Sequence, residues 1–257
     1  MTRDAGGRAS GRASPSPLEP DRPSAPLVLA AAAPLTVVVT LGLLGSVLWT
    51  FALYHLAICL VLPAVDSLVR RGIAPADHLR LLGATGPRAR GGIVVGLALA
   101  PVFAAASLGA LALARAWLPP SERIAAVLQS WGATPARLPV LTALFAAGNG
   151  PAEELFWRGW VQGRLRQRWG PAAAVGLAAA FYCAYHAYTL TRLLGAAAPG
   201  LVVIGGVLLV AAAGAVWGWL REVTGSVWPA VIGHTAATAA YVAGYWVWLA
   251  PGAAAGR

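Results

Sequence analysis

Residues 26–65 form a run of forty positions without a single Asp, Glu, Lys or Arg. The hydrocarbon core of a bilayer is about 30 Å thick, and one helical span across it needs roughly 20 apolar residues. The run therefore holds either two spans or one long tilted helix. Similar apolar stretches recur at residues 93–118, 138–164, 171–190, 201–220 and 227–249. A soluble domain carries about a quarter of its residues as charges, whereas here the charged fraction is 11% and the hydrophobic fraction 58%. These features predict an all-α, polytopic transmembrane helical bundle, embedded in a lipid bilayer.

Arginine placement decides between one span and two in the first run. The net charge of +10 rests on nineteen arginines and no lysine. With a turn at Gly42, Gly45 and Ser46, giving about seven spans, most arginines fall on the N-terminal side, including Arg70, Arg71, Arg80, Arg88, Arg90 and those from Arg158 to Arg168. With one span the two sides are nearly balanced. The positive-inside rule favours seven spans and a cytoplasmic N-terminus, in the plasma membrane. Arginines scattered between apolar runs, rather than gathered on one soluble face, exclude a nucleic-acid partner.

Residues 1–25, rich in Arg, Ser, Gly and Pro, are expected to be a disordered cytoplasmic tail. Residues 26–137 then form the N-terminal helices and loops, residues 138–250 the functional core and residues 251–257 a short tail. Residues 66–92 are expected to be a polar loop, and residues 122–131 an interfacial segment. Cys59 and Cys183 lack CxxC spacing and suit packing roles.

Within residues 138–164 stands Glu153-Glu154-Leu155-Phe156-Trp157-Arg158-Gly159, with Gly148, Gly150 and Pro151 placed to bend the helix just ahead of it. Ionisable groups inside a membrane span are costly and mark functional sites by default. Glu154 and Arg158 form an i,i+4 pair with the acid N-terminal, the favourable order. Glu153 points about 100° away on a 3.6-residue turn and has no local cation, which leaves it available as a general base. Two histidines, His186 and His234, lie in later apolar runs. At 1.5 Å per residue Glu153 is roughly 16 Å below the cytoplasmic mouth, His234 roughly 12 Å and His186 at most roughly 22 Å. All three can meet between helices in the cytoplasmic half of the membrane. His55 sits in an apolar run without a local acidic companion and is assigned a structural or interfacial role; His78 lies in the polar segment.

The glutamate string resembles the EExxxR motif of the CPBP intramembrane proteases, which include the CAAX prenyl endopeptidases and the bacteriocin-processing and immunity-type proteins. Tyr182-Cys183-Ala184-Tyr185-His186 resembles the family's FxxxH, with Tyr182 in place of Phe. His234-Thr235-Ala236-Ala237-Thr238 resembles HxxxN or HxxxD, with Thr238 at the last position. The resemblance spans about residues 138–245, with a weaker likeness over residues 70–83.

The resemblance implies an intramembrane endopeptidase of metalloprotease type, acting on a membrane-associated peptide or small protein. It implies that Glu153 and His186 activate a water and that His234, with position 238, stabilises the oxyanion. Glu154, Arg158, Tyr182 and Thr238 would support them. Glu153, His186 and His234 are also the candidate ligands should a divalent metal such as Zn2+ be used, although no HExxH motif demands one. A threonine at position 238 offers one hydroxyl where Asn offers an amide. That departure leaves open a slow protease or a non-catalytic relative acting as an immunity or scaffold protein. A transporter using the Glu–Arg–His cluster as an ion relay is a further alternative.

Overall fold

The computed structural model describes residues 24–195 and 198–249; most of the predicted N-terminal tail and the C-terminal residues lie outside them. Among the described residues the chain is helical, with no strand. The helices are α1 (Ser24–Gly42), α2 (Val47–Arg70), α3 (Pro75–Leu81), α4 (Ala89–Trp117) and α5 (Ser121–Ser130). They are followed by α6 (residues 138–169), α7 (residues 171–194), α8 (Gly200–Thr224) and α9 (Trp228–Gly244, continued by Tyr245–Leu249).

The long uncharged run is two helices, of which Val47–Arg70 is long and apolar enough to cross a membrane and Pro26–Gly42 is a shorter apolar helix. The chain reverses between α1 and α2 through Gly45, whose φ of +56° favours glycine. Ser46 caps α2 by accepting the Trp49 N–H at 3.3 Å. The Thr40 and Thr50 hydroxyls meet at 2.7 Å across the turn and tie the two helices together.

Two expectations need correction, and another gains detail. The polar segment after residue 66 is not a loop throughout, because α2 runs on to Arg70 and α3 follows. Asp66 stabilises that extension by accepting from Arg71 at 3.2 Å and from Arg164 of α6 at 2.9 Å. Secondly, around Gly148, Gly150 and Pro151 α6 departs from a regular α-helix, with π-helical turns over Leu144–Asn149 and Leu155–Val161 on either side of one α-helical turn at Gly150–Glu154. Such turns are rare and recur at functional sites. Thirdly, α6 and α7 are separated only by a kink at Gly170, φ 77°.

Val47–Arg70, Ala89–Trp117 and Gly200–Thr224 are long and apolar enough to cross a membrane. Their burial pattern is inverted relative to a water-soluble protein. Val94, Leu97, Leu201 and Leu208 are exposed on α4 and α8, while Glu153, Glu154 and Arg158 have no exposure at all. Apolar side chains outside and charges inside suit a bundle whose solvent is lipid. The helices and this pattern suggest an integral membrane protein.

The core is arranged around α6. Its glutamate turn packs against α9 and α2, α9 packs on α4, and α8 and α1 pack on α7. Glycines let α8 come close. A Cβ at Gly214 would lie 3.0 Å from Arg158 Nη2 and 3.1 Å from the Tyr182 ring, and one at Gly218 would lie 2.9 Å from Gln162 Oε1. Two polar side chains of α6 use that closeness, Arg158 donating to the Gly214 carbonyl at 3.0 Å and Gln162 to the Gly218 carbonyl at 2.9 Å.

Candidate active site

Glu154 and Arg158 pair as their spacing predicts, with Arg158 Nη1 donating to Glu154 Oε1 at 3.0 Å and both fully buried. A buried guanidinium needs every donor occupied or its charge otherwise balanced. The Gly214 carbonyl takes Nη2, Nε has no hydrogen-bond partner, and the Tyr182 ring covers Cζ at 4.6 Å. The Tyr182 ring also lies 4.8 Å from that of His186.

Glu154 has a second partner that local spacing could not reveal. His234 of α9 brings Nδ1 to 2.8 Å from Glu154 Oε1, while its ring stacks on Trp217 at 4.5 Å. Its other nitrogen, Nε2, is 3.9 Å from Glu153 Oε2. Glu153 is fully buried and held on one oxygen only. Tyr185 donates its hydroxyl to Oε1 at 2.6 Å, and His55 Nε2 reaches the same oxygen at 3.3 Å. Glu153 Oε2 is buried without a hydrogen-bond partner.

His55 is the principal correction to the sequence reading. Its acidic companion exists, but is supplied by α6 rather than by α2. Asn149 is a further member of the cluster. It stands one turn before Glu153, with Oδ1 2.6 Å from His55 Nε2 and Nδ2 3.3 Å from His234 Nε2. Both had a usable signal: an ionisable residue in an apolar run is a functional candidate by default, and residues four apart share a helix face.

His186 is half-buried at the edge of this cluster. Its Nδ1 lies 3.1 Å from the Tyr182 carbonyl, and its ring packs against Tyr185 at 4.0 Å. Tyr185 thus links His186 to Glu153. Thr238 is buried one turn beyond His234.

His234 Nδ1 is bonded to Glu154 and His186 faces the Tyr182 carbonyl with Nδ1, so Nε2 is the nitrogen that either could offer to a metal. Among the described residues no group of three or more His, Cys, Asp or Glu side chains is arranged to hold an ion.

Fold and site together define a membrane-type helical bundle with a buried carboxylate–histidine centre. Residues 135–240 match the family model described as Type II CAAX prenyl endopeptidase Rce1-like. The match supports, for this chain, the CPBP/CAAX intramembrane protease family that its motifs resemble. The matched stretch contains Glu153, Glu154, Arg158, Tyr182, His186, His234 and Thr238, as well as Asn149, but not His55. No curated protein and no solved structure matches the chain.

Proposed function

We propose that the chain is an intramembrane endopeptidase that hydrolyses a peptide bond of a membrane-associated peptide or small protein, using a water activated by Glu153. The observation that carries this reading is the division of labour within the acidic pair. Each carboxylate keeps one buried oxygen without a hydrogen-bond partner, but Glu154 is neutralised by Arg158, whereas Glu153 meets only the Tyr185 hydroxyl and the imidazoles of His55 and His234.

A water bound at Glu153 Oε2 loses a proton to that carboxylate as its oxygen attacks the scissile carbonyl carbon. The same proton then passes to the leaving amine nitrogen as the C–N bond breaks. His186 assists from the edge of the site: with Nδ1–H directed at the Tyr182 carbonyl, its Nε2 presents a lone pair to the water. His234 stabilises the oxyanion when Nε2 carries a proton, and Glu154 balances the charge at Nδ1. Donors aimed at developing charge are worth about 2.7–4 kcal/mol each.

The reading includes about seven spans, a cytoplasmic N-terminus, an active site in the cytoplasmic half of the plasma membrane, and residues 138–250 as the proteolytic core. Thr238 favours a second reading, a non-catalytic immunity or scaffold protein that keeps the fold. Purified protein incubated with a membrane-tethered peptide tests the first reading, and Glu153→Ala separates the two. A Glu153→Ala chain that still complements a deletion strain favours binding over catalysis.

A further inference from the structure

The buried cluster contains one side-chain amide, Asn149, to which the mechanism above gives no role. It is 7% exposed and lies between His55 of α2 and His234 of α9. With His234 neutral, the direction of each hydrogen bond along this chain follows from one end. Arg158 donates to Glu154, and an ionised carboxylate only accepts. The bond between Glu154 Oε1 and His234 must then run from Nδ1–H. A neutral His234 with its proton on Nδ1 has a lone pair at Nε2, and the atom facing that lone pair is Asn149 Nδ2. Asn149 Oδ1 is consequently turned towards His55, which donates to it from Nε2.

This ordering has a chemical consequence. With His234 neutral, its Nε2 accepts a hydrogen bond and has none to give to an oxyanion. Thr238, one turn along α9, has only a hydroxyl on a short arm. The Asn149 amide has two N–H groups, and one of them is used by His234.

We propose that Asn149 is the amide donor of the active site: its second N–H hydrogen-bonds the oxyanion of the tetrahedral intermediate, while His55 holds its carbonyl oxygen in register. The proposal rests on the endopeptidase reading and adds a catalytic residue to it. No covalent bond to Asn149 forms or breaks; one hydrogen bond strengthens as the substrate oxygen gains charge.

The test uses full-length protein in nanodiscs and a membrane-tethered fluorogenic peptide, with wild type and Glu153→Ala as references. Asn149→Ala is expected to lower kcat by about 10²–10³-fold with KM close to wild type, because the lost contact exists only in the transition state. Thr238→Asn placed in the Asn149→Ala background is expected to recover at least about tenfold of that loss, since an amide one turn from His234 can reach the same oxygen. A packing role for Asn149 would not be repaired from position 238. If wild type cleaves, Glu153→Ala does not, and Asn149→Ala keeps its kcat, the proposal is overturned while the endopeptidase reading stands. It is equally overturned if kcat falls and Thr238→Asn recovers nothing. If wild type does not cleave, both fall.

Discussion

His234 Nδ1 lies 2.8 Å from Glu154 Oε1, the carboxylate oxygen that also receives Arg158. Glu154 is therefore more than the partner of an arginine one turn away. It joins α6 to α9 and determines which nitrogen of His234 carries a proton, and so what the other nitrogen can do for a substrate.

Replacing Glu154 by Gln removes the charge that balances a fully buried guanidinium. Breaking a buried pair on one side costs about 3–5 kcal/mol, so Glu154→Gln is expected to be among the most destabilising single changes in the chain. Thermal unfolding of the detergent-solubilised protein measures this, and cleavage should be lost in whatever fraction remains folded.

His55→Leu tests a residue outside the matched family segment. The side chain packs on Phe51 at 4.5 Å and reaches Glu153 and Asn149. A leucine fills the space without either polar contact. Loss of positioning at a reacting group costs about 10²-fold in rate; cleavage should fall by that order, and the unfolding temperature should fall too, because Glu153 and the Asn149 carbonyl oxygen lose a buried donor.

The approach of α8 to α6 depends on Gly214. Gly214→Val is expected to cost about 1–3 kcal/mol through overpacking against Arg158 and Tyr182. Gly205 lies on the same helix with nothing within 4 Å of its Cβ position. Gly205→Ala should be neutral or slightly stabilising, since alanine is the better helix former. Paired unfolding measurements on the two variants separate close approach from helix propensity.

At the polar end of the bundle Asp66 lies within ion-pair distance of Arg70, Arg71 and Arg164, at 3.5, 3.2 and 2.9 Å. It is partly exposed, so the pairs are screened by solvent and salt. Asp66→Asn is expected to cost about 1 kcal/mol, clearly less than Glu154→Gln, with the difference from wild type shrinking as salt is raised.

What the sequence revealed and what it withheld follow one physical line. Glu154–Arg158 was legible because both partners share a helix face one turn apart, and the α1–α2 reversal because glycines and a capping serine interrupt an otherwise uniform run. His186 and His234 stood out as ionisable residues in apolar stretches. The contacts of His55 with Asn149 and of His234 with Glu154 were not legible, because they join residues 94 and 80 positions apart. Apolar periodicity places such residues on helices but does not say which helices meet. The extension of α2 to Arg70 was hidden for the same reason: its stabilising cation, Arg164, comes from α6.

The central claim is that Glu153 activates the attacking water. It is tested most directly by incubating wild type and Glu153→Ala in nanodiscs with a membrane-tethered peptide in water enriched in ¹⁸O, and reading the products by mass spectrometry. The account predicts wild-type cleavage with one labelled oxygen in the new carboxylate, and no product from Glu153→Ala. Cleavage by Glu153→Ala at the wild-type rate would contradict it.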